Sequence, residues 1–254
     1  MILAVDAGNS NIVLGCMEGL EIRHTLRLKT DRAMSAAGYT VTLQAALAQA
    51  GFSVAGFEGG ILSSVVAAVT EPLRQALSAL LSGPVLVVGK TAKTTLPLCI
   101  DQPETIGADL IAAAEGALAQ YAPPLVLIDM GTATTFSVLD KSGAFLGGAI
   151  APGVQLGAEA LTQRTGLPMT ELSAPQSPLS HSTTDCLRSG IIYGAAAMVD
   201  GMLDRLETAL GTPVTAIATG GLARCVIPHC RRPVTLDDQL LLRGLAVMYR
   251  RKMT

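Results

Sequence analysis

One pattern occurs twice in this chain, and it restricts the possible folds more than any other feature: ILAVDAGNSNIVLGC from Ile2 and LVLIDMGTATTFSVL from Leu125. Each copy is an apolar run that reaches Asp-x-Gly, passes through small hydroxyl or amide residues and enters a second apolar run. Turn residues follow in both places, Glu18-Gly19 and Lys141-Ser142-Gly143, and then a third extended run, Glu21–Leu28 or Ala144–Ala149. Each half is therefore expected to open with a three-stranded meander. A single Asp-x-Gly is ordinary turn chemistry. Two copies in the same strand context, each followed by side chains able to hold phosphate, point to duplication of a functional unit.

After each meander the spacing becomes helical, with Ala- and Leu-rich stretches at Thr42–Ala50, Glu71–Leu81, Ile111–Ala119 and Ser189–Leu210. Further short strands are expected at Gly60–Ser63, Val85–Val88 and Thr215–Thr219. This order is that of a duplicated ribonuclease H-like α/β unit, the architecture of the actin and sugar kinase superfamily. Two similar domains, 1–115 and 116–254, are expected to flank a cleft. Half the residues are apolar but only 3% are aromatic, so the core must be built from Ala, Leu, Val and Ile.

Charge and sequence pattern remove several function classes. A formal charge of -2 and a pI near 5.9 lack the basic footprint that grips nucleic acid. Despite a positive mean hydropathy, no run approaches the ~20 apolar residues of a membrane span, and the first residues read as a strand rather than a signal. Five scattered cysteines without CxxC spacing suit a reducing cytoplasm. Cys225, His229 and Cys230 together lack a fourth zinc ligand.

Phosphoryl transfer requires phosphates held in place, their charge neutralised and an acceptor hydroxyl aligned. In Asp6-Ala7-Gly8-Asn9-Ser10-Asn11, Gly8 lets backbone N–H groups approach phosphate oxygens, and Asn9 and Ser10 add donors. The second loop, Asp129-Met130-Gly131-Thr132-Ala133-Thr134-Thr135, offers Gly131, Thr132 and Thr134 in the same way. One carboxylate from each half, Asp6 and Asp129, suffices for an Mg²⁺ that keeps most of its waters. Gly220 and Gly221, after the run Val214–Ala218, allow a base or ribose to lie against the backbone and are assigned to the adenosine. As a pair they also make an ordinary turn.

These loops, with Gly147-Gly148-Ala149-Ile150-Ala151-Pro152-Gly153, closely resemble type III pantothenate kinases. The likeness extends to Ile61-Leu62-Ser63-Ser64-Val65-Val66, to Pro103-Glu104-Thr105-Ile106-Gly107-Ala108-Asp109, to Ser182-Thr183 with Ser189-Gly190 and Gly194, and to Leu242-Arg243-Gly244-Leu245. The resemblance implies phosphorylation of pantothenate by ATP, the first step towards coenzyme A. It also implies Mg²⁺, a monovalent cation (K⁺ or NH₄⁺), and a homodimer whose acceptor pocket lies at the subunit interface. Asp109 would be the general base. Gly107, Ala108, Leu110, Ile100 and Thr183 would face the acceptor, Thr183 from the second subunit. Asp109 also reads as a helix N-cap, because Leu110 to Gln120 has helical spacing.

The sequence departs from the family on the acceptor side. The usual Gly-x-Asp-Arg is here Gly107-Ala108-Asp109-Leu110, and a usual Tyr is Ile100. Ala37-Gly38-Tyr39 replaces Asp-Glu-Tyr, and Ala67 stands where Pro is usual. A guanidinium pairs bidentately with a carboxylate, worth about 1.5–3 kcal/mol, and Leu does not. Arg164 and Lys93 are candidates to supply that contact, although nothing in the sequence places them. Two other readings stay open: a kinase for another small alcohol, and a catalytically weak nucleotide-binding regulatory protein of the same fold.

Overall fold

The computed structural model describes residues 1–253, which form two compact units. The first takes Met1–Leu96, Asp101–Gln120 and the chain from Gln239 onward; the second takes Pro97–Ile100 and Tyr121–Asp238. The division at 115/116 expected from the repeat thus falls inside a helix of the first unit, and the final helix returns to that unit. The repeat marks where the second meander starts, whereas the helices that cover the first sheet come from both sides of it in sequence.

In the first unit the meander is β1 (Ile2–Ala7), β2 (Asn11–Glu18) and β3 (Glu21–Lys29), followed by α1 (Ala36–Gln49), β4 (Gly60–Ser64), α2 (Ala67–Leu80), β5 (Val85–Val87) and α3 (Ala108–Leu118). In the second, β6 (Leu125–Met130), β7 (Ala133–Leu139) and β8 (Phe145–Pro152) precede α4 (Val154–Thr165), α5 (Thr183–Leu210), β9 (Thr215–Thr219), α6 (Ala223–Val226) and β10 (Thr235–Leu236). The last helix, α7 (Leu240–Met253), completes the first unit. The sheet orders are β3-β2-β1-β4-β5 and β8-β7-β6-β9-β10, one topology built twice. In each, the first strand is central, antiparallel to the second strand and parallel to the fourth.

Side chains alternate across β1. Leu3, Val5 and Ala7 pack with Tyr39, Leu43 and Leu47 of α1 and Val69, Leu73 and Leu77 of α2. Ile2 and Ala4 face the other way, onto Ile111 and Ala112 of α3 and Leu245, Ala246 and Tyr249 of α7. By the same alternation Asp6 lies on the face that α3 and α7 cover. In the second unit Val126, Ile128 and Met130 pack with Ile192, Ala196, Val199 and Leu203 of α5, which leaves Asp129 on the opposite face with Leu125 and Leu127.

Helices α3 and α7 cross with their backbones almost touching. A Cβ on Gly116 would stand 1.9 Å from the Leu240 carbonyl oxygen, and one on Gly244 would stand 1.7 Å from that of Ala112. The Gly244 of the closing Leu-Arg-Gly-Leu motif is therefore a packing requirement. Beside the crossing, the buried Glu115 of α3 accepts from Arg251 of α7 at 2.7 and 2.9 Å, and from the Thr94 hydroxyl at 2.7 Å.

Two sequence expectations shift. Helix α2 begins at Ala67 rather than Glu71, so Pro72 sits inside it and removes one backbone bond. Helix α3 begins at Ala108, and its N-cap is Gly107. Asp109 is consequently a first-turn residue and not the cap.

Candidate active site

The first loop is shaped by bonds to its own backbone. The Gly8 N–H donates to the Asn11 carbonyl at 2.9 Å, the Thr30 hydroxyl to the Gly8 carbonyl at 2.7 Å, and the Thr30 N–H to the Ser10 carbonyl at 3.1 Å. Thr30, directly after β3, thereby pins the loop between β1 and β2 and leaves Asn9 and Ser10 exposed. Asp6 stands in register with Val13 of β2 and Ser63 of β4, at the carboxyl end of its strand. Ser63 is fully buried and its hydroxyl lacks a hydrogen-bond partner. The structure adds a residue that sequence reasoning missed: Arg32 donates from Nη2 to Asn9 Oδ1 at 3.0 Å.

The second loop repeats this plan in one residue less. Gly131 donates to the Ala133 carbonyl at 3.0 Å, and Asp129 stands in register with Thr135 and Thr219. Thr219 is thus the counterpart of Ser63. The hydroxyls of Thr134 and Thr135 are buried and lack hydrogen-bond partners, with Thr134 wholly enclosed. Leaving a buried hydroxyl unpaired costs about 1–3 kcal/mol, an expense explained if a ligand completes the bond. Gly220 closes the loop from β9. Its φ is +95°, and a Cβ there would stand 2.5 Å from Asp129 Oδ1 and 2.7 Å from Met130 N, so no other residue fits. Gly221 is exposed, and a Cβ there would meet no atom within 4 Å, so its backbone face is open.

Asp109 occupies the second position of α3. Its Oδ1 accepts from the Leu110 N–H at 2.8 Å, and a Cβ on Gly107 would stand 2.3 Å from that oxygen. The glycine of Gly-x-Asp leaves room for the carboxylate to fold back over the chain. Burial raises the Asp109 pKa above the ordinary carboxylate value, against the smaller opposing effect of its backbone bonds. A carboxylate made more basic by its surroundings is suited to accepting a proton.

The first unit therefore holds Asp6, Gly8, Asn9 and Ser10 on one loop and Gly107, Ala108, Asp109 and Leu110 at the start of the helix on Asp6's sheet face. The second holds Asp129, Gly131, Thr132 and Thr134, with Gly220 against Asp129. Ile100 belongs to the second unit. It follows the Cys99 N–H bond to the Phe145 carbonyl (2.8 Å), and its Cγ2 would lie 3.4 Å from a Cβ on Gly147. Thr183 is the exposed first residue of α5, next to Ser182, which caps the helix by accepting from the Asp185 N–H at 3.1 Å. Tyr39 is a core residue whose hydroxyl donates to the Asp31 carbonyl at 2.6 Å. Arg164 lies in the last turn of α4, and Lys93 is exposed with its carbonyl turned to Arg251 at 3.4 Å. Burial pushes the Cys230 thiol up to about 12, aided by the charge of Asp200, and His229 packs edge-on against Tyr193 at 5.1 Å.

Comparison with known proteins turns this geometry into a family. The type III pantothenate kinase family model matches residues 2–205. The chain belongs to that family. A type III pantothenate kinase of Exiguobacterium sp. is 38% identical over 252 residues, covering 99% of each chain. Among solved structures, a Campylobacter jejuni protein assigned to the Baf family of transcriptional activators has a TM-score of 0.64 at 17% identity, covering 99% of this chain and 98% of that one. The ROK hexokinase of Thermus thermophilus has a TM-score of 0.55 at 14% identity, covering 98% and 99%. At those identities the structures speak for the fold alone, the duplicated actin and sugar kinase architecture that the repeat implied. The family is one of ATP-dependent kinases, and the matched residues 2–205 include both Asp-x-Gly loops and Gly107-Ala108-Asp109.

Proposed function

We propose that this protein transfers the terminal phosphoryl group of ATP to the hydroxyl of pantothenate, giving ADP and 4′-phosphopantothenate at the entry to coenzyme A synthesis. The observation that carries the reading is the Asp109 carboxylate, folded over Gly107 and made more basic by burial, in a chain of this family. As the acceptor oxygen bonds to the γ-phosphorus, its proton passes to Asp109 and the bond from the γ-phosphorus to the bridging oxygen breaks towards ADP. The two loops hold the phosphates through backbone N–H groups and through the hydroxyls of Ser10, Thr132 and Thr134. Gly220 keeps Asp129 in place, and the open face at Gly221 receives the adenosine.

The carboxylates at the two strand ends and the unpaired hydroxyls of Thr134 and Thr135 fit an Mg·ATP complex. Asp6 and Asp129 would hold the ion through its waters. When bound, Mg²⁺ neutralises phosphate charge. The family reading adds a K⁺ or NH₄⁺ requirement, a homodimer in which Thr183 of one subunit completes the other's acceptor pocket, and a cytoplasmic location.

Leu110 favours a second reading, a kinase for a less acidic or more apolar alcohol, because the residue that follows Asp109 is Leu and not Arg. Purified protein with Mg·ATP, K⁺ and pantothenate should yield ADP and phosphopantothenate by phosphorus NMR. Turnover of uncharged hydroxylated amides but not pantothenate would select the second reading. Nucleotide binding without turnover of any alcohol would remove the kinase assignment and leave a regulatory nucleotide-binding protein.

A further inference from the structure

Arg32 is left unused by the loops and base described above. Several arginines lean on carboxylates: Arg74 on Glu71, Arg188 on Asp185, Arg224 on Asp238 and Arg251 on Glu115. The Arg32 guanidinium instead donates to a neutral amide oxygen, Asn9 Oδ1 at 3.0 Å, and forms no ion pair among the described residues. The carboxylate next to it in sequence, Asp31, accepts from the Ala33 N–H instead, and the loop beside Arg32 carries donors and no anion beyond Asp6.

The backbone on either side of Arg32 is fixed. Thr30 bonds to Gly8 and Ser10 of the loop. The Asp31 carbonyl accepts from the hydroxyl of Tyr39, itself 1% exposed in the core, and the Asp31 carboxylate accepts from the Ala33 N–H at 2.9 Å. Ser35 then caps α1 by accepting from Gly38 at 3.2 Å. The segment that bears the guanidinium is therefore ordered before any ligand arrives, which lowers the entropic cost of using it. With Nη2 turned to Asn9, Nε and Nη1 remain to meet oxygen atoms, and a planar fork of donors matches phosphate geometry.

We propose that Arg32 is a phosphate-binding residue, oriented by Asn9 to contact the terminal phosphate oxygens of the nucleotide at the first loop. The proposal rests on the reading that this loop holds Mg·ATP. It extends that reading to a cation outside the Asp-x-Gly motif.

Titration calorimetry of the wild type, Arg32→Met and Arg32→Lys with Mg·AMPPNP and with AMP tests it. Losing charge-assisted hydrogen bonds should weaken Mg·AMPPNP binding by about 10- to 100-fold in Arg32→Met. AMP binding should stay within about two-fold. Lys should recover part of the loss, having the charge without the fork. Asn9→Ala should give a smaller loss, non-additive with Arg32→Met. Because Arg32 is exposed, the melting temperature should not move. If the wild type binds Mg·AMPPNP and Arg32→Met binds it within two-fold, or loses AMP equally, the Arg32 assignment is overturned while the nucleotide reading stands. If the wild type binds no Mg·AMPPNP, both fall.

Discussion

At the scale of single residues, the proposed reaction turns on one carboxylate, Asp109, and the glycine beneath it, Gly107. A half-buried Asp such as Asp109, its pKa raised by desolvation, takes up its proton at higher pH than the same group in the unfolded chain, so folded protein binds more protons between the two values. Its ionisation therefore reduces stability as pH rises through that window. Asp109→Asn should accordingly raise the melting temperature at pH 7 while abolishing phosphoryl transfer, and the wild-type rate should fall on acidification at a pH above the ordinary Asp range; calorimetry and a pH–rate profile check both. Gly107→Ala should displace the carboxylate, since the added Cβ would stand 2.3 Å from Asp109 Oδ1. The expected result is a fall in kcat of roughly ten-fold or more, the general-base share of catalysis being about 10²–10⁴, with nucleotide affinity kept. The role proposed for Asp109 came from the family resemblance of Gly-x-Asp, and its helix position was not legible, because the cap is a glycine with no side chain to announce it. Arg32 escaped for a different reason: its partner lies 23 residues earlier, and only the bonds of Thr30 bring the two segments together.

At the scale of elements, the meanders and β9 were readable from alternation and turn residues, and α1, α2, α3 and α5 from helical spacing, apart from their first turns. Helices α4 and α7 were not. In α7, Gly244 interrupts the helical signal, and its purpose appears only when α3 is placed against it. That crossing gives the clearest energetic expectation. Glu115 is 6% exposed at its side chain, and Arg251 is its cationic partner. Removing one member of a buried pair strands the other charge, at about 3–5 kcal/mol; with Arg251 a third exposed, Arg251→Met should cost about 2–3 kcal/mol. Urea unfolding of the two proteins measures this directly. A change under ~0.5 kcal/mol would mean that solvent already satisfies Glu115.

At the scale of the whole molecule, duplication made the architecture readable, because two copies of one sheet order need only one pattern to be recognised. It also makes a functional claim: each copy ends its central strand in an Asp with a hydroxyl residue alongside, Ser63 or Thr219. Asp6→Asn and Asp129→Asn should therefore each lower kcat/KM for Mg·ATP by about 100-fold or more, as expected for loss of electrostatic support to a transferring phosphoryl group. Steady-state kinetics across Mg²⁺ concentrations would show it, and an unaffected variant would exclude that loop from the nucleotide. What the repeat concealed was where the units part, since α7 lies after the second copy in sequence but packs on the first sheet. A ribosome making this protein finishes the segment Tyr121–Asp238 before it has supplied the helix that covers Ile2, Ala4 and Ile61. Contrary to the usual order in which earlier domains mature first, the nascent N-terminal sheet has one oily face covered by α3 alone until translation has passed the later unit, and the part that α7 will bury is open to aggregation during that interval.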